Sequence, residues 1–383
     1  TSIARLGLPN DPKPWLIISG IKGSSHRAPT TTGVPTTEEA ESATMTNRLT
    51  GNFEQINSEL HLSGLRIAEL CRQQQRSGPF YLYDAAWIDG QYQKLDDAFK
   101  TTYPYGHQIS YAVKANDAVA ILKRLARAGA GADIVSGGEL DRALAADIPA
   151  NKIVFAGVGK TEIEIEKALI IGIQQFNVES FAELERIASV AERLGVIAPI
   201  ALRANPDVDA KTHAKITTGT KANKFGISLN EILPLAERTK TMPSVKLVAI
   251  AMHIGSQITS LAPFQQAYGV MARLVEDLLR RGIELERLDV GGGIGVDYGD
   301  GITTISFQSF ADVVTGALAP FGLPVLIEPG RSIVAEAGAL LTQVQYIKHS
   351  YDRRFVIVDA GMHNLMRPAL YDAVHPIVSV NEP

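Results

Sequence analysis

From residue 80 onward, short apolar and β-branched runs alternate with stretches of helical period. The runs Ile109–Val113, Ala132–Val135, Ile153–Phe155 and Gln175–Val178 are too short for helices and are bounded by glycine or polar clusters, so they predict strands. Ile200–Arg203, Leu247–Met252, Leu288–Val290 and Val325–Ile327 read the same way. Between them, Ala118–Ala128, Glu139–Ala146, Glu162–Ile171 and Phe181–Leu194 carry helical patterns, as do Leu229–Lys240, Pro263–Arg281 and Phe307–Pro320. Strand followed by helix, repeated about eight times, is the pattern of a (β/α)8 TIM-like barrel. An open doubly wound sheet is the rival, because period alone does not prove closure.

The flanks differ. Asn52–Phe80 and Val334–Pro383 predict a second, smaller β-domain formed by the N-terminal segment and C-terminal strands, with Leu340–Ile347 and Phe355–Val358 joined by a turn at Tyr351–Arg354. The expected division is 1–44 as a disordered or non-native leader, 45–79 as the first part of the β-domain, 80–333 as the barrel and 334–383 as the last part. Within the leader, residues 24–46 are rich in Thr, Ser, Pro and Glu without period, too polar to offset their ordering entropy. Trp15–Ile18 lacks the length of a signal-peptide core and is assigned no fold role, and Met45 is a candidate natural start.

Composition narrows the function classes. A net charge of −4 gives no pull toward nucleic acid or an acidic membrane surface. No apolar run approaches the roughly 20 residues of a membrane span. The single cysteine, Cys71, excludes an internal disulfide and a multi-cysteine metal site; no metal is expected, and the cytoplasm is the expected compartment. Its spacing from Leu65 and Ile67 points to burial.

Barrel enzymes gather their chemistry at the C-terminal ends of the strands. Here those ends carry Lys114, Ser136, Gly157, Glu179, Arg203, His253, Gly291 and Glu328 in turn. Strand period puts Ser110, Ala112 and Lys114 on one face, where burial would lower the amine and let it condense with an aldehyde. A solvent-facing or carboxylate-paired lysine is the plainer alternative. The run Gly291–Gly295 fails the dinucleotide fingerprint, since the sixth position from Gly291 is Val296. Following the seventh strand, however, it occupies the usual phosphate position of a barrel. Glu328 and Arg331 flank a Pro-Gly turn after the eighth strand: the carboxylate can bond a pyridine nitrogen, and the guanidinium offers a fork for phosphate or carboxylate.

Together, YAVKAN, DIVSGGEL, HIGSQI, DVGGG and EPGR resemble the alanine-racemase-like class of pyridoxal-phosphate (PLP) decarboxylases. The stretches Arg203–Ile227, Asp359–Met366 and Arg367–Ile377 are similar to those of diaminopimelate decarboxylases. The resemblance implies decarboxylation of meso-2,6-diaminopimelate to L-lysine and CO2, the last step of lysine biosynthesis, by a homodimer whose active site lies at the interface. It implies that Lys114 carries the cofactor, that His253 stacks on its ring, and that Gly291, Gly292 and Gly293 cradle its phosphate with Ser256. Glu328 would pair with the ring nitrogen, Gly330 and Arg331 would complete the cofactor site, and Asp133 would support the lysine. Arg331, Arg367 and Tyr371 would hold the amino diacid.

Two departures limit the resemblance. The family has a Cys-Glu-Ser-type motif and a later tyrosine beyond the RPALY segment, whereas this sequence ends at Pro383; a truncated chain that binds PLP but turns over poorly is therefore expected. Ala214-Lys215 stands where the family usually has Pro-Tyr. The rival functions are a racemase or decarboxylase acting on another basic amino acid, a non-catalytic PLP-binding protein, and an inactive fragment.

Overall fold

The computed structural model describes residues 15–19, 51–57, 59–73, 78–209, 224–298, 303–373 and 375–380. The chain divides into two compact units, one of residues 88–296 and 303–334, the other of residues 1–87, 297–302 and 335–383.

The first unit contains a closed parallel barrel. Its strands are β1 (His107–Ala112), β2 (Gly131–Ile134), β3 (Ile153–Phe155), β4 (Gln175–Val178), β5 (Ala198–Asn205), β6 (Val245–Ala251), β7 (Arg287–Asp289) and β8 (Val325–Ile327). Consecutive strands pair in parallel, β8 returns to β1 through Leu326 and Gln108, and β4 pairs with β5 through Phe176 and Ile200. The ladder has no open edge, which decides against the doubly wound sheet.

The crossover helices follow from local signals. Ser136, Thr161 and Ser180 each cap a helix by accepting the backbone N–H three residues on, and Thr161 forms a full capping box with Glu164. Gly129, Gly172 and Gly195 end helices in the left-handed conformation. Phe264, Tyr268 and Phe310 pack edge-on or offset between two helices, with Phe264 and Phe310 centroids 5.1 Å apart. Among the described residues, no helix is long and apolar enough to cross a membrane.

The second unit is built on an antiparallel sheet in which Gly338–Ser350 pairs with Arg353–Val358 and with Trp15–Ser19, which in turn pairs with Ile377–Ser379. Two sequence expectations are corrected here. Trp15–Ser19 has a fold role: Ile17 is fully buried with Leu341, Phe53, Leu60 and Ile67, because alternate residues of an inner strand must face a core. The rest of the expected leader lies outside the described residues. Phe80–Tyr83, assigned to the start of the barrel, instead pairs with Gly338–Leu341 in this sheet. Cys71 is buried in the same core, and burial pushes its thiol up to about 11, as expected of a packing residue.

Candidate active site

At the barrel's C-terminal end lies a cavity of about 290 Å³ lined by Lys114, Asp133, Asn177, Arg203, Phe225, His253 and Glu328, among others. Strand β1 ends at Ala112, and a single 3-10 turn, Val113–Ala115, lifts Lys114 off the strand at the mouth. Its Nζ donates to Asp133 Oδ2 at 2.5 Å. Half of the lysine side chain is open, while Asp133 is buried and its other oxygen, Oδ1, has no hydrogen-bond partner. Burial works to lower the amine, but the Asp133 carboxylate, assisted by Glu328, outweighs it and holds Lys114 above the ordinary 10.5. The expectation of a lowered, neutral amine is thereby corrected: Lys114 is an ammonium because the aspartate comes with it.

His253 follows β6, and its Nδ1 accepts the Gly292 N–H at 3.3 Å. An accepting Nδ1 carries no proton, and burial, with the charges of Arg203 and Lys114, pushes the imidazole well below its ordinary 6.5. The ring is therefore neutral, with its proton on Nε2.

The Gly291–Gly293 turn follows β7. A Cβ on Gly292 would lie 2.0 Å from the Glu328 carbonyl oxygen, and one on Gly293, where φ is +105°, would lie 2.2 Å from Gly255 O. No side chain fits at either position, so the turn is bare backbone. Arg331 Nε donates to Ser256 Oγ at 3.2 Å, joining the two residues expected beside this turn. Gly330 packs on Ala112 and Ala115. Glu328, at the end of β8, is buried and accepts Asn177 Nδ2 at 3.3 Å. Burial, with Asp133 and Asp289 nearby, pushes its carboxyl well above the ordinary 4.5.

Arg367 and Tyr371 belong to the other unit, in the helix Arg367–Tyr371, where the guanidinium stands 5.6 Å from the tyrosine ring centroid. Ala214-Lys215 lies outside the described residues.

The structure gives partners to Glu179 and Arg203, which the sequence placed at strand ends without a role, and adds Phe225, Asn177 and Asp289 to the site. Arg203 Nη1 donates to Glu179 Oε1 at 2.8 Å and lies over Phe225 at 5.1 Å from its centroid. Glu179 also accepts the N–H groups of Gly157 and Gly226, each at 3.0 Å. Asn177 and Asp289 form a polar layer within the barrel, joined at 2.9 Å. The available signal was alternation: Gln175, Asn177 and Glu179 share one face of an otherwise apolar strand, which a fully buried packing strand would not tolerate.

Residues 88–335 match the family described as pyridoxal-dependent decarboxylase, pyridoxal binding domain. The chain is 46% identical over 302 residues to the diaminopimelate decarboxylase of Neisseria meningitidis serogroup B, covering 79% of this chain and 72% of that one. It is 44% identical over 322 residues to that of Pseudomonas aeruginosa, covering 84% and 76%. The crystal structure of the Helicobacter pylori diaminopimelate decarboxylase complexed with L-lysine superposes with a TM-score of 0.77 at 45% identity, covering 80% of this chain and 76% of that one. The enzyme from M. jannaschii, also in complex with L-lysine, gives 0.79 at 36% identity, covering 86% and 78%. With this much of the chain matched, and with the barrel, the lysine, the glycine turn and the buried glutamate all present, the chain belongs to the diaminopimelate decarboxylase family of pyridoxal-dependent decarboxylases.

Proposed function

We propose that this chain is a PLP-dependent carboxy-lyase that converts meso-2,6-diaminopimelate to L-lysine and CO2. The observation that carries the reading is the Lys114–Asp133 ion pair sharing one cavity with Glu328.

The residues fit the cofactor. A glycine turn that admits no Cβ suits a phosphate, and the orphaned Asp133 Oδ1 is an acceptor awaiting a donor. Lys114 would hold the cofactor's aldehyde carbon, His253 would lie against its ring, and Glu328 would face its nitrogen. Gly291, Gly292 and Gly293 would cradle the phosphate with Ser256, Gly330 and Arg331. When bound, PLP supplies an electron-poor ring that accepts the electron pair left behind by CO2. The rest falls to the protein. A neutral His253 would cover the ring without adding positive charge beside it, and Glu328 would keep a proton at the ring nitrogen. Asp133 holds Lys114 Nζ in place and stabilises its charged form whenever the amine is free. Arg331, Arg367 and Tyr371 would bind the distal carboxylate and amine, leaving the reacting carboxylate as the group to be lost.

We also infer a homodimer with its active site at the interface, acting in the cytoplasm. Support comes from the family resemblance and from the single, buried cysteine. Light scattering tests the dimer. The catalytic reading is tested by borohydride reduction of the PLP adduct with peptide mapping, together with an assay for lysine release. Label on the Lys114 peptide and lysine as product are expected; label elsewhere, or release of a diamine, would overturn it.

A further inference from the structure

Beneath Glu328 the barrel holds a second carboxyl for which the roles above have no use. Asp289 closes β7 and is fully buried. Its Oδ1 accepts the Gly291 N–H at 3.1 Å, and its Oδ2 accepts Asn177 Nδ2 at 2.9 Å and Gln175 Nε2 at 3.4 Å. The same Asn177 Nδ2 reaches Glu328 Oε1 at 3.3 Å, so one amide bridges the two buried carboxyls. Two buried carboxyls this close do not both ionise readily, so the pair favours holding a proton between them.

Burial and the neighbouring acid favour that proton, against the nearby cations. Asp133 faces the pair from β2, Lys114 from beyond β1, Arg203 from β5 and Tyr268 from the helix Ala262–Arg280. Arg287, at the start of β7, donates to Gln175 Oε1 at 2.9 Å. Burial raises both carboxyls, Asp289 to about 6 and Glu328 well above 4.5, so the pair keeps a proton at a pH where exposed acids have lost theirs.

The geometry points to Asp289 as a positioning residue that fixes the Gly291 amide with one oxygen and keeps a shared proton on Glu328, so that one side chain sets both the phosphate turn and the carboxyl facing the ring nitrogen. This rests on the proposed placement of that nitrogen at Glu328. Glu328 then gives up its proton when the cofactor binds: to the ring nitrogen if that arrives bare, to solvent if it arrives protonated. In both cases the chain ends one proton poorer.

Calorimetric titration of the full chain with PLP, near neutral pH in buffers of differing ionisation enthalpy, counts the protons exchanged. Asp289→Asn keeps an acceptor for Gly291 but removes the second acid, so Glu328 loses part of what keeps it protonated and ionises more readily before binding. The variant is expected to release fewer protons per site than the parent, by up to about one, a difference that a merely structural role would not produce. Equal counts, with PLP attached at Lys114 in both proteins, would overturn this inference and leave the proposed function standing. No attachment at Lys114 in the parent would overturn both. Should Asp289→Asn fail to fold, infrared difference spectra of the parent decide: PLP binding should abolish the carbonyl band of one buried carboxylic acid, and a persisting band would overturn the inference.

Discussion

Replacing Lys160 with methionine isolates what buried charge contributes beside the site. Lys160 Nζ donates to Gly157 O at 2.7 Å, Asn177 O at 2.8 Å and Glu183 Oε1 at 2.5 Å. Its side chain is 1% exposed and that of Glu183 is 8% exposed. Methionine keeps the length and apolar bulk of the stem, so the change removes charge and hydrogen bonds more than packing. Opposite charges at the 2.5 Å separation seen here attract by about 7 kcal/mol at an effective dielectric of about 20. Burial takes back much of this: it outweighs Glu183 and lowers the Lys160 amine below its ordinary 10.5.

The intact pair is therefore close to neutral in net stability, whereas half of it is not. Lys160→Met leaves the Glu183 carboxylate buried without its cation, at a cost of about 3–5 kcal/mol. Glu183→Gln strands the ammonium at a similar cost. The double variant restores a neutral interior and should cost less than either single change. Urea unfolding followed by far-UV circular dichroism, which reports mainly on the barrel's helices, measures all three. Single variants within about 0.5 kcal/mol of the parent, or a double variant equal to the sum of the two, would refute the reasoning. The site should feel the change as well, because Glu183 Oε2 accepts the Glu179 N–H at 2.8 Å and Glu179 holds Arg203.

Four further outcomes are expected. Asp133→Asn removes the charge that outweighs burial at Lys114, so the amine falls and the pH profile of PLP attachment, followed by absorbance, moves to lower pH. Gly292→Ala puts a Cβ 2.0 Å from Glu328 O, and the backbone shift should weaken PLP at least about tenfold in a fluorescence titration. Arg367→Ala should raise KM for diaminopimelate while leaving the PLP affinity measured in the same titration unchanged. For the chain without PLP, Asp289 is a carboxyl raised in the fold, from its ordinary 3.8 to about 6. Its contribution to stability is full below the lower value and is lost as pH rises through the upper one, so urea midpoints across that window should fall more for the parent than for Asp289→Asn.

The barrel was legible because its strands and helices differ in period and because glycine or polar clusters bound the strands. Lys114, His253 and Glu328 were legible as polar residues ending apolar strands. Their protonation was not, because it depends on neighbours far away in sequence: Asp133 reverses the sign expected at Lys114, and the Gly292 amide fixes the His253 tautomer. Trp15–Ile18 was denied a fold role because four apolar residues amid polar sequence give no period to read. Its place in the sheet comes from its partners Ala339–Gln343 on one side and Ile377–Ser379 on the other.

The charge pairs also bear on the folding of the barrel itself. Ala112 stands opposite Asp133 in the β1–β2 ladder, which leaves Lys114 one turn beyond to reach back to that acid. Leu202 stands opposite Val178 in the β4–β5 ladder, which brings Arg203 level with Glu179. Side chains alternate with a period of two, so a slip of one residue would turn Asp133 or Glu179 from the interior toward the apolar undersides of the helices. An ionised carboxylate there, stripped of its cation, costs several kcal/mol. The polar interior therefore penalises the neighbouring registers that an all-apolar barrel would tolerate, and the register it leaves is the one that assembles Lys114, Arg203 and Glu328 around a single cavity.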